Sequence, residues 1–97
     1  MYVLVAYDIK DVEKRAKIHN KTHQICRKYL YPLQLSVFHG ELDKTKYKNL
    51  IKELKNILNE DMDSLITITA NNKNNLDFDI FGQSKQYSNI ISSSTDA

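Results

Sequence analysis

An unbroken run of apolar and aromatic residues, Tyr2 to Tyr7, follows Met1 and stops on a carboxylate, Asp8. A run without alternation reads as a strand buried on both faces, so the fold must hold a sheet with cover on each side. Asp8 then stands where the strand emerges, and open sheets tend to place ligands at the carboxyl ends of their strands.

At 97 residues the chain makes one domain, near the lower end of what builds its own core, so a partner subunit burying more apolar surface would help it. With 41% apolar and 27% charged residues it reads as globular rather than disordered. No stretch approaches the roughly 18 apolar residues of a membrane span, and the start lacks the basic region and cleavage site of a secretory signal, so the expectation is a cytoplasmic protein. The lone Cys26 agrees, since it has no partner for an internal disulfide.

The formal charge of +2 hides an uneven distribution. Residues 1 to 30 carry seven bases (Lys10, Lys14, Arg15, Lys17, Lys21, Arg27, Lys28) against three acids (Asp8, Asp11, Glu13), a balance of +4 that leaves −2 for the rest. Such a segment suits either a phosphate backbone or a solvated helix face.

From Asp11 to about Leu30 there is no Gly or Pro, which predicts a helix with Asp11 as its N-cap and a broken stripe of Val12, Ala16, Ile18, Ile25, Cys26, Tyr29 and Leu30, Thr22 filling a gap. Pro32 ends it. Alternation over Leu33 to Leu42 predicts one bent strand or two short ones, with Gly40 marking a bulge or reversal. Asp43 caps a second helix on which Tyr47, Leu50, Ile51, Leu54, Ile57 and Leu58 keep helical spacing. A polar turn over residues 59 to 63 leads to a strand, Ser64 to Ala70, rich in β-branched residues.

Residues 71 to 75 read as a loop, followed by a late edge strand at about 77–81 and a polar tail from residue 83 to 97. This order predicts an α+β, ferredoxin-like βαββαβ sandwich, an antiparallel sheet with both helices on one face, as a domain over residues 1–82. The uncovered face then calls for a second copy of the chain.

Several groups compete for chemistry. Asp8 with Asp11, Lys10, Arg15 and Lys17 offers a hard oxygen ligand for Mg²⁺ amid cations suited to phosphate, or else a structural turn. His19, His23 and Cys26 lie at i, i+4 and i+7 and mimic a zinc set, but no fourth ligand is evident, and packed or solvated side chains are the favoured reading. His39 is a general base or, as favoured, an ordinary surface histidine. Glu60-Asp61-Met62-Asp63 lacks the spacing of a calcium loop and reads as a solvated turn. No glycine-rich phosphate loop or aromatic RNA-binding strand signature is evident.

Read together, the segments Tyr2 to Ile9, Asp11 with Arg15 and Lys17, Gln34-x-Ser36-Val37-Phe38-x-Gly40-Glu41-Leu42, Asp63-Ser64, and Phe78-Asp79-Ile80-Phe81-Gly82 resemble the CRISPR-associated protein Two family over residues 1 to about 82. The resemblance implies a ferredoxin-like homodimer in which both copies of Asp8 share one Mg²⁺, and a late strand with Phe78 and Ile80 that adds to the partner's sheet. It implies a metal-dependent endonuclease acting on single-stranded RNA or duplex DNA, and a spacer-acquisition subunit that bridges two dimers of the integrase, CRISPR-associated protein One, while holding duplex prespacer DNA.

By the same resemblance Asp8 is the metal ligand, Tyr7, Arg15, Lys17 and Phe38 are its catalytic neighbours, and Ser36 lies near the dimer contact. Lys10, Lys14, Arg15, Lys17 and Lys21 would meet nucleic acid. Lys17 stands where the family commonly has arginine and so lacks the bidentate fork. Pro32 replaces an arginine and Leu35 an aromatic of some members, which weakens the nuclease role more than the scaffold role. The alternative is a ferredoxin-like domain sensing a small molecule between subunits, which would want a glycine-bearing ligand loop; only Gly40 and Gly82 are present.

Overall fold

The computed structural model describes residues 1–76. The elements run β1 (Tyr2–Asp8), α1 (Ala16–Tyr29), β2 (Tyr31–Gln34), β3 (Val37–Glu41), α2 (Lys44–Ile57), β4 (Ser64–Ala70) and a 3₁₀ turn at Lys73–Asn75. The four strands form one sheet in the order β2-β3-β1-β4, every neighbouring pair antiparallel. This is the ferredoxin-like arrangement, with β1 central as its apolar run requires. The expected late strand, Phe78, Ile80 and the tail lie outside the described residues.

Alternation in β1 sends Val3, Val5 and Tyr7 towards the helices, where they pack with Ile9, Phe38, Leu42, Cys26 and Leu30 of α1's end, and Leu50 and Leu54 of α2. Thr22 is buried on α1 and returns its hydroxyl to the Ile18 carbonyl at 2.7 Å, so a polar residue fills the apolar stripe without an unmet donor. The opposite sheet face is also apolar: Leu4 faces Ile68 and Ala6 faces Ile66, with Ile66 59% and Ile68 45% exposed. Absence of alternation in β1 therefore reflects apolar groups on both faces, with helices on only one. Among the described residues no helix is long and apolar enough to cross a membrane.

Two expectations hold to the residue. Asp43 caps α2 by accepting from the Lys46 N–H at 2.7 Å, and β4 spans Ser64 to Ala70. Between β2 and β3 the reversal falls at Leu35 and Ser36, resolving the segment into two strands. Gly40 is inside β3, where an added Cβ would meet Leu30 Cδ2 at 3.3 Å; it permits close packing of the α1 end on the sheet rather than a turn. Pro32 lies within β2, an edge strand, where a missing N–H is tolerated.

α1 starts later than expected. Residues 10 to 14 form a turn, Asp11 has φ 54°, and the N-cap is Arg15 without a side-chain cap. Asp11 acts instead through its backbone carbonyl, which accepts from the N–H groups of Lys14 and Arg15 at 3.0 and 2.9 Å. Left-handed backbone is costly for most residues but tolerated by Asp, whose short polar chain fits it.

Candidate active site

Antiparallel connectivity brings four segments to the end of β1: the turn 10–14 with the first turns of α1, the Leu35-Ser36 reversal, and the α2–β4 turn. The register Asp8↔Ser64 and the Tyr7 N–H donating to the Ser36 carbonyl at 3.1 Å fix this convergence. Chemistry-bearing side chains distant in sequence thus meet at one sheet edge.

Asp8 is exposed at that edge and makes no hydrogen bond or ion pair among the described residues. Tyr7, before it, is buried and points to the other side. Its hydroxyl donates to the Leu35 carbonyl at 3.4 Å, and burial pushes the phenol up to about 12, so it stays protonated and holds the reversal. Tyr7 stacks on Phe38 with centroids 6.2 Å apart; His23 meets Phe38 edge-on at 5.2 Å and His19 meets Tyr7 edge-on at 6.2 Å. Phe38 has no exposed surface, so it supports the site through packing.

Arg15 is committed elsewhere than to open phosphate. Its guanidinium grips Asp63 through two bonds of 2.5 and 2.7 Å, and donates to the Lys10 carbonyl at 3.2 Å. Asp63 also accepts from the backbone N–H groups of Lys10 and Asn59. The Arg15 hydrogen bonds, followed by those backbone N–H groups, hold the Asp63 carboxyl down at about 2 against the opposing cost of burial. The acidic turn is therefore not simply solvated: the Asp63 side chain is 1% exposed and ties the α2–β4 turn to the turn after β1. Lys10, Lys14, Lys17 and Lys21 all remain exposed.

A cavity of about 90 Å³ opens beside Asp8, lined by Tyr7, Ile9, Val12, His19, Leu35 and Ser36. A larger hollow of about 400 Å³ lies under the α2–β4 turn, but its covered carboxylate, Asp63, is taken by Arg15. The smaller cavity is where an uncommitted acid, an imidazole and a hydroxyl coincide.

The other candidates separate from this edge. Cys26 is fully buried and its thiol is pushed up to about 12 by burial, so it packs rather than ligates. Among the described residues no group of three His, Cys, Asp or Glu side chains could hold a metal. His39 is 2% exposed, not a surface histidine, and its Nδ1 shares a hydrogen bond with the Tyr2 hydroxyl. It pairs with Leu4, about 13 Å along β1 from Asp8 at 3.3 Å per residue.

Sequence reasoning missed Asp63 as the partner of Arg15, and saw His19 only as one third of a zinc-like spacing. No local signal marks the first, whose partners are 48 residues apart. For His19 the signal was its place one turn beyond Arg15 on the helix that follows the Asp8 strand.

The family model described as CRISPR associated protein Cas2 matches residues 1–76. The chain is 35% identical over 82 residues to a CRISPR-associated endoribonuclease Cas2 of Fusobacterium nucleatum, covering 84% of this chain and 77% of that one. It is 34% identical over 92 residues to the protein of that name from Methanosarcina acetivorans, covering 94% and 100%. Among solved structures, one titled as that of cas2 superposes with a TM-score of 0.71 at 36% identity, covering 86% of this chain and 87% of that one. Streptococcus pyogenes Cas2 gives 0.66 at 25% identity, covering 77% and 93%.

Proposed function

The chain belongs to the CRISPR associated protein Cas2 family, and from that premise we propose that it is a nucleic-acid-binding subunit of spacer acquisition whose paired Asp8 carboxylates cleave phosphodiester bonds with Mg²⁺. At the level of the family it is a nuclease, as the names of its relatives state. Those names put RNA first among substrates.

The observation that carries the reading is Asp8 itself, exposed and uncommitted at the end of the central strand while Asp63 nearby is spent on Arg15. One carboxylate per chain fits Mg²⁺, which keeps several waters and takes only one or two carboxylates beside substrate phosphates. The second carboxylate comes from a twin subunit. Leu4, Ala6, Ile66 and Ile68 lie on the sheet face that the helices leave open, and Asp8 ends that face in register with Ser64. A second copy covering it brings its own Asp8 to the same edge.

Mg²⁺ held by Asp8 would supply Lewis-acid chemistry, polarising the scissile phosphate and activating water. The chain's own residues do the rest. Asp8 accepts the cation, Tyr7 and Phe38 hold the strand end and the reversal rigid, and Arg15 keeps the turn after β1 in place through Asp63. Lys10, Lys14, Lys17 and Lys21 offset phosphate charge along the bound strand. The same basic rim supports the second half of the reading, in which the dimer holds duplex prespacer DNA and bridges two dimers of the integrase.

Asp8→Asn tests both halves. Cleavage of single-stranded RNA and duplex DNA falls by about a hundredfold or more while the melting temperature stays put, because the exposed Asp8 carboxylate makes no hydrogen bond or ion pair among the described residues. Cleavage at the wild-type rate overturns the paired-carboxylate mechanism. Spacer uptake that survives in cells carrying the same variant assigns the physiological role to the scaffold.

A further inference from the structure

We infer that His19 contacts a substrate phosphoryl group in the cavity beside Asp8, as an N–H donor no part of the Asp8 mechanism has used. The late start of α1 puts His19 in its first turn, and the backbone there is fixed: the His19 N–H donates to the Arg15 carbonyl at 3.1 Å, and Arg15 is held by Asp63. The ring is half-buried, edge-on to Tyr7, and its nitrogens have no hydrogen-bond partner among the described residues.

The cavity is selective by its lining. Its volume of about 90 Å³ gives room for a phosphoryl group. Ile9, Val12 and Leu35 supply apolar wall, and the Tyr7 hydroxyl is spent on the Leu35 carbonyl. The polar groups left are the Asp8 carboxylate, the Ser36 hydroxyl and the His19 imidazole. Asp8 alone repels an anion, so a phosphate entering here needs a donor, and imidazole supplies an N–H in either tautomer and two when protonated. The nearest guanidinium, Arg15, is already paired, which leaves His19 the nitrogen donor on the cavity wall.

This inference rests on the Asp8 reading for its catalytic meaning, and its test separates the two. His19→Phe keeps a ring against Tyr7 without N–H groups; His19→Gln keeps a donor without the ring; His19→Ala serves where Phe does not fold. Single-stranded RNA binding is followed by fluorescence anisotropy on the full chain in an Asp8→Asn background, where neither the carboxylate charge nor the metal contributes, and cleavage with Mg²⁺ is followed in the otherwise wild-type chain. The expected result is about tenfold weaker RNA binding for His19→Phe, retention within about threefold for His19→Gln, and a raised KM in the cleavage assay for Phe. Equal losses for Phe and Gln, or none for either, overturn the phosphate contact in favour of packing. Wild-type cleavage by Asp8→Asn overturns the metal reading alone, since the anisotropy arm still decides His19.

Discussion

Arg15 and Asp63, 48 residues apart, bind each other through two hydrogen bonds and so lock the turn after the first strand to the turn before the last. The pair anchors the start of α1, which has no side-chain cap. It also sets the frame on which His19 and the basic rim are carried.

Removing this carboxylate has a pH signature. Asp63 titrates near 2 in the folded protein, below its ordinary 3.8, so its contribution is present above about pH 4 and disappears as pH falls towards 2. Asp63→Asn destabilises by on the order of 1–2 kcal/mol at neutral pH, allowing for solvent screening, and lowers the melting temperature by several degrees. Urea titrations at pH 7 and pH 3 check it: the gap between wild type and variant shrinks to roughly half at the lower pH, where the unfolded chain is mostly protonated at this carboxyl and the folded one is not. A gap as large at pH 3 as at pH 7 contradicts the assignment.

The exposed lysines are read through salt. Replacing Lys10, Lys14, Lys17 and Lys21 by Gln lowers the slope of log K against log salt for duplex DNA by about 3 to 4, at roughly 0.9 per lost phosphate contact. Lys44, Lys46 and Lys48 begin α2 at the opposite end of the sheet, near Glu41 and Tyr2, and the same substitutions there leave the slope nearly unchanged.

At Asp11, with φ 54°, the backbone discriminates between side chains. Asp11→Gly is neutral or stabilising by up to about 0.5–1 kcal/mol, whereas Asp11→Val costs about 1–2 kcal/mol because a β-branched residue resists the left-handed region. Denaturant midpoints at unchanged m report both.

Ile66 is 59% exposed on the open sheet face. Ile66→Lys leaves the fold within about 0.5 kcal/mol of wild type, as surface changes do. It raises the dissociation constant of the proposed twin-subunit complex by about tenfold or more, which analytical ultracentrifugation measures. A variant that assembles like wild type places the subunit contact elsewhere.

What could be read from the residues was what local chemistry decides. The Asp43 cap and the apolar spacing of α2 need no distant partner, nor does the β-branched run of β4. Asp8 at the strand end was equally visible. The start of α1 was not, because a left-handed Asp11 and an ion pair across 48 residues override an uninterrupted stretch of helix-compatible residues. Gly40 was misplaced for a similar reason: its constraint comes from Leu30 pressing on β3, not from a turn. His39 read as a surface residue because nothing local announces its pairing with Tyr2.

The short β2 carries a consequence for the solution behaviour of the sheet. Four residues long, irregular in register between Pro32 and Gln34, and missing one N–H at Pro32, it is a poor template for an incoming strand. At the other margin of the described sheet β4 is seven residues long and β-branched. A sheet blunted on one margin offers a single direction of growth, so strand addition between copies, were it to occur, would end in a finite assembly rather than propagate into fibres.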